Sequence, residues 1–299
     1  MTEIRGLFPP IPTPFEGGRV SAARLSANIA RWLDEPLDGF VVLGSNGEAP
    51  LLTEEEKRDV VHTARRAIPE GDKLMIVGTG RESTAAAIRA TREAFDMGAD
   101  AVLLGAPHYY KPMYSDAVLE AHYRAVADAS PGPILLYSVP QFTGVPLSPD
   151  LVRALAPHPR IVGLKDSGSD IERIRVQIEA GRSSAGPFSV LIGTARLWAE
   201  GLIAGAVGGV VAVGCVAPRV LARIAEAVRR GDLDGARALN EELRPLAAAV
   251  TTGHGIGGLK AALDLLGYHG GEPRPPLPRP SAAAREEIAA RLRDLGLLS

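Results

Sequence analysis

The run IVGLKDSG, residues 161–168, leads from Ile161, Val162, Gly163 and Leu164 straight into the ammonium of Lys165. Its unbroken apolar opening is that of a parallel strand covered on both faces, because a half-exposed strand would alternate apolar and polar residues. Similar β-like runs lie on either side of it: GLFPPIPTPF (6–15), GFVVLGSNG (39–47), KLMIVGTG (73–80), DAVLLGAP (100–107), PILLYSVP (133–140), FSVLIGT (188–194) and GAVGGVVAVG (205–214). Helix-period segments separate them and carry start signals. Thr53 precedes TEEEKRDVVHTARRAI with a glutamate three residues on, and Ser83, Ser115 and Ser148 precede later helices. Eight alternating β and α units predict an α/β fold, a (β/α)8 TIM barrel over residues 1–228, with an open doubly wound sheet as the structural rival. Residues 229–299 read as a C-terminal appendage of three helices, LDGARALNEELRPLAAAV, IGGLKAALDLLGYH and SAAAREEIAARLRDLG, packed on the barrel.

Composition narrows the function. A chain of 299 residues with 46% hydrophobic content and a net charge of −2 has ample core and no basic stripe for nucleic acid or an anionic membrane surface. The N-terminus lacks a signal-peptide pattern, and the longest apolar run is broken by glycines, so a cytoplasmic protein is expected. Cys215 is the single cysteine and the six histidines show no ligand spacing, which argues against a disulfide or a protein-built metal site. GHGIGG (253–258) follows a helical segment where a dinucleotide site needs a strand, GTGRES (78–83) lacks the final glycine of that pattern, and no cofactor is expected.

Barrel enzymes hold their chemistry at the C-terminal ends of the strands. Those ends carry Ser45 and Asn46, Tyr109 and Tyr110, Tyr137, and Lys165. Lys165 either bends out to solvent or pairs with Asp166, or it is a Schiff-base nucleophile. Burial penalises an ammonium more than a neutral amine, which makes a buried lysine a nucleophile in a way arginine cannot be. A tyrosine on the adjacent strand end, Tyr137, could carry protons through carbinolamine formation and dehydration. The GSNG turn offers backbone N–H groups and a hydroxyl for a carboxylate, and Glu48 after it reads as structural.

GSNGE (44–48), YSVP (137–140) and GLKDSG (163–168), in that order, closely resemble the pyruvate-dependent class I aldolases grouped with dihydrodipicolinate synthase and N-acetylneuraminate lyase. The likeness covers nearly the whole chain. Its motifs, with GYHGG at 267–271, look most like those of 4-hydroxy-2-oxoglutarate aldolase. The resemblance implies a lyase in which Lys165 forms an imine with pyruvate and Tyr137 is the acid/base. It makes Ser45 a relay hydroxyl, Tyr109 a relay phenol from a neighbouring subunit, Asn46 a substrate-positioning side chain, and Gly193 and Val211 the backbone at the substrate carboxylate. It implies a homotetramer, a dimer of dimers, and cleavage of 4-hydroxy-2-oxoglutarate to pyruvate and glyoxylate. The synthase pattern has GTTGE at the first motif and an arginine two residues after the proline of YNVP, where this chain has Phe142. An apolar ring cannot replace a guanidinium fork, so condensation of pyruvate with aspartate semialdehyde is the second expectation. A 2-keto-3-deoxy sugar acid aldolase or neuraminate lyase would share the core chemistry. A phosphate-binding barrel isomerase and a non-catalytic sugar-acid-binding barrel are the readings from other classes.

Overall fold

The strand expected at IVGLKDSG spans Ile161–Asp166, buried at every position, in a computed structural model that describes residues 3–184 and 186–299. In chain order the eight barrel strands are β1 Gly6–Leu7, β2 Gly39–Val42, β3 Leu74–Gly78, β4 Ala101–Gly105, β5 Ile134–Ser138, β6 Ile161–Asp166, β7 Ser189–Ile192 and β8 Gly208–Gly209. They form one sheet in the order β1-β8-β7-β6-β5-β4-β3-β2. A parallel bridge from Pro10 to Val41 joins the chain after β1 to β2. The fold is a (β/α)8 barrel with additional C-terminal helices.

β1 and β8 are shorter than their sequence runs. Pro9, Pro10 and Pro12 have no N–H to give a ladder, so after β1 only the bonds Val41 N–H to Pro9 O and Ile11 N–H to Val41 O continue it. After β8 the chain turns into a 3-10 helix, Ala212–Cys215, instead of extending the strand.

The chain divides into two compact units. The first comprises the residues up to Gly6 with Leu74–Val210. Its strands β4 to β7 are parallel, with Leu103 beside Leu135, Leu136 beside Leu164, and Leu164 beside Val190, and the register between β5 and β6 shifts once, between Ile134 and Leu135. Leu135, Leu136, Leu164 and Leu191 are fully buried, each worth about 1.5–3 kcal/mol of transfer from water. Ser83, Ser115 and Ser148 cap their helices as expected, each side chain accepting from a backbone N–H three residues on.

The second unit comprises Leu7–Lys73 with Val211–Ser299. Thr53 and Glu56 form the expected capping box at the start of the helix Glu54–Ala67. The C-terminal helices are Leu233–Ala248, Gly255–Leu265 and Ala282–Asp294. Trp32 is buried and donates from its indole N–H to Cys215 O at 3.0 Å.

Candidate active site

Within the first unit the register of β5 and β6 places Tyr137 beside Lys165. Residues two apart share a face of a strand, so Leu135, Gly163 and Ser189 form the layer beneath Gly105, Tyr137, Lys165 and Leu191. Small residues in the lower layer make room. A Cβ on Gly163 would lie 2.3 Å from Ser189 O and 2.8 Å from Leu135 Cδ2. Lys165 is 3% exposed, and its Nζ lies 4.2 Å from the centroid of the Tyr137 ring. The negative face of that ring would attract the positive charge of an imine formed there with a keto acid.

Asp166 does not pair with Lys165. Its carboxylate, fully buried, accepts from Arg173 Nε at 2.8 Å and from Gly168 N–H at 2.6 Å. Arg173 also donates to Leu147 O and Ser138 Oγ. This clamp fixes the chain just after the lysine and leaves the amine without a carboxylate partner among the described residues. Sequence reasoning did not identify Arg173, which lies seven positions on in an ordinary helical pattern.

Gly193 follows β7 and donates its N–H to Asp166 O at 2.7 Å. A Cβ there would meet Ser167 Oγ at 2.1 Å, so the close approach of the two strand ends requires glycine. Tyr109 and Tyr110 lie after β4 in an edge-to-face pair, 75% and 65% exposed. Glu82 accepts from the N–H groups of His108 and Tyr109 and contacts His108 Nδ1 at 2.9 Å, which orders their backbone. Phe142, in the short helix Pro140–Thr143, is 65% exposed.

The second unit holds Ser45, Asn46 and Val211. Ser45 and Asn46 begin a 3-10 turn, Ser45–Gly47, directly after β2, both partly exposed. Thr13 Oγ1 donates to Gly47 O at 2.7 Å. Leu43 and Glu48 bracket the turn, both at φ 57, a left-handed conformation that costs a non-glycine residue about 1–3 kcal/mol. Val211 is fully buried at the start of the 3-10 helix Ala212–Cys215. Glu48 is structural, as expected, and its partner is Lys260, a second buried lysine that sequence reasoning passed over. Burial pushes the Lys260 amine below its ordinary pKa, with the Glu48 carboxylate opposing the shift.

Among the described residues no three His, Cys, Asp or Glu side chains group so as to hold a metal ion. No helix among them is long and apolar enough to cross a membrane.

Comparison with known proteins returns one family. Residues 3–295 match the dihydrodipicolinate synthetase family. A 4-hydroxy-tetrahydrodipicolinate synthase of Jannaschia sp. (strain CCS1) is 35% identical, covering 99% of this chain and 100% of the relative. Another of that name from Methanoculleus marisnigri is 37% identical over 95% of this chain and 97% of its own length. The crystal structure of dihydrodipicolinate synthase from Thermotoga maritima superimposes with a TM-score of 0.93 at 28% identity, covering 99% of this chain and all of that one.

These relatives overturn 4-hydroxy-2-oxoglutarate aldolase as the first expectation and favour the synthase. In GYHGG, Tyr268 stacks on Trp32 with ring centroids 5.2 Å apart, Arg31 Cζ lies 3.8 Å from the Tyr268 ring centroid, and the side-chain amide of Asn28 donates to His269 O and accepts from His269 N–H. That motif is a packing corner. Ser45 keeps a hydroxyl like that of a threonine, whereas Asn46 offers a carboxamide instead.

Proposed function

Since the chain belongs to the dihydrodipicolinate synthetase family and is a carbon–carbon lyase of the class I, Schiff-base type, we propose that it condenses pyruvate with aspartate semialdehyde. The observation that carries this reading is the buried Lys165 amine, unpaired with a carboxylate and 4.2 Å from the Tyr137 ring centroid at the matching position of the next strand.

In this mechanism the neutral amine of Lys165 attacks the C2 ketone of pyruvate, and loss of water gives a protonated imine. Tyr137, as phenolate, takes a C3 proton to give the enamine, whose C3 attacks the aldehyde carbon. Tyr137 gives its proton to the alkoxide that forms. The α-amino group of the semialdehyde then displaces Lys165 from the imine carbon, which closes the ring and frees the enzyme. One water is lost overall. The imine is the electron sink, so no metal or organic cofactor takes part.

The family resemblance gives Ser45 the role of a relay hydroxyl, Asn46 that of a substrate-positioning side chain, and Gly193 and Val211 backbone roles toward the pyruvate carboxylate. Tyr109 completes the relay of a neighbouring subunit in a homotetramer built as a dimer of dimers. Support for that assembly is the exposed apolar group of Tyr109, Tyr110 and Met113, the last 70% exposed. Residues 1–228 act as the catalytic barrel and 229–299 as its helical region, in a cytoplasmic enzyme. Assay of pyruvate against a panel of aldehydes tests the assignment. Turnover should be highest with aspartate semialdehyde, and preference for an aldehyde without an amino group would contradict it.

A further inference from the structure

Position 48 combines two unfavourable features. Its backbone lies at φ 57, where glycine would be unstrained, and its side chain is a carboxylate with no solvent exposure. A residue that is strained by its backbone and penalised by its burial is placed there for what its side chain holds. Lys260 Nζ, also without exposure, sits 2.5 Å from Glu48 Oε1 in an ionic contact and donates to Glu272 O at 3.1 Å. The other carboxylate oxygen accepts from Arg274 N–H at 2.7 Å.

Arg274 extends the brace. Its guanidinium binds both carboxylate oxygens of Glu56, at 2.6 and 2.7 Å, and donates to Leu51 O and Gly18 O. Lys260 Nζ and Arg274 Cζ each lie 4.3 Å from the centroid of the Phe15 ring. Gly270 packs so closely on Lys260 that a Cβ would meet its carbonyl oxygen at 2.0 Å, so the lysine backbone is fixed as well as its tip. Two chain segments of the C-terminal region, the helix Gly255–Leu265 and the loop at Arg274, therefore converge on the residue that ends the Ser45–Gly47 turn.

Buried ion pairs are poor sources of net stability compared with packed apolar side chains, but they fix a geometry. We propose that Glu48, Lys260 and Arg274 are positioning residues that hold the Ser45–Asn46 turn in its strained, substrate-competent shape, so that the C-terminal region sets the geometry of the relay hydroxyl. This rests on the synthase reading, in which Ser45 acts on the substrate. None of the three touches the reacting atoms. Their effect on turnover passes through Ser45, and that gives a readout which a merely structural role would leave unmoved.

The test is a mutant cycle on the full-length enzyme with pyruvate and aspartate semialdehyde. Lys260→Met should lower kcat about tenfold to a hundredfold, the scale of a catalytic group displaced by an ångström. With Ser45→Ala already present, the same replacement should lower kcat less than about threefold, because the group it positions is gone. Equal losses in the two backgrounds would overturn the proposal. Glu48→Gln, which keeps shape and an acceptor, serves in the same cycle should Lys260→Met fail to fold, with the same outcomes. Borohydride trapping of pyruvate on the wild-type enzyme separates the two readings. A trapped adduct with equal losses removes only the brace; no adduct removes the aldolase reading itself.

Discussion

Gly163→Ala tests the layering that places the lysine. The added Cβ would lie 2.3 Å from Ser189 O, 2.8 Å from Leu135 Cδ2 and 2.9 Å from Ser189 Cβ. Carbon atoms pack at about 3.5–4.0 Å, so the leucine must move about 1 Å and the carbonyl of a neighbouring strand at least as far. Leu135 can rotate, but Ser189 O belongs to β7, paired with β6 from Gly163 to Asp166, and retreats only by loosening that ladder. Overpacking costs about 1–3 kcal/mol, and a backbone contact sets the upper end, about 3 kcal/mol. For a chain of this size that lowers Tm by about 6 °C. Lys165 stands two residues on and on the same face, so displacement of the strand should also slow imine formation by at least about tenfold. Thermal melts followed by circular dichroism, together with the rate of borohydride-trapped adduct with pyruvate, measure both. Gly186→Ala, where no atom lies within 4 Å of the new Cβ, is the control and should change neither. A Gly163→Ala enzyme that melts within about 1 °C of wild type and traps pyruvate at an unchanged rate would refute the reasoning.

Phe142→Arg should lower KM for aspartate semialdehyde about tenfold with KM for pyruvate unchanged, since a charge-assisted contact is worth about 1.5 kcal/mol and the ring it replaces is mostly exposed. An unaltered semialdehyde KM would show that this position does not meet the substrate carboxylate. Hydrogen bonding to Arg274, above all, lowers the Glu56 carboxyl from 4.5 to about 2. A depressed folded pKa contributes stability that is fully present above 4.5 and is lost as pH falls toward 2, so the stability gap between wild type and Glu56→Gln should narrow from pH 6 to pH 3. Urea midpoints at the two pH values check this, and a constant gap would contradict it. Tyr109→Phe should lower turnover while size-exclusion chromatography shows assembly intact; monomers of full activity would exclude a shared site.

The parallel strands were readable because β4 to β7 are nearly continuous Val, Ile and Leu, and four helix starts because their caps obey a local rule. Tyr137 and Lys165 were readable as neighbours because both end strands that follow one another in a barrel. The ion pairs were not. Arg274 and Glu48 lie 226 residues apart, and nothing local in the helical segment that holds Lys260 marks a partner so distant in the chain. β8 was overread because a glycine-rich apolar run has the composition of a strand whether it stays extended or turns. The aldehyde partner was not legible: four short motifs and Phe142 in place of an arginine point to the aldolase, while the whole-chain likeness points to the synthase.

Borohydride reduction in the presence of pyruvate, followed by peptide mass mapping, bears most directly on the chemistry. The adduct should fall on the peptide containing Lys165 and nowhere else, with Lys260 unmodified behind its carboxylate. Labelling of any other lysine, or none, would contradict the account.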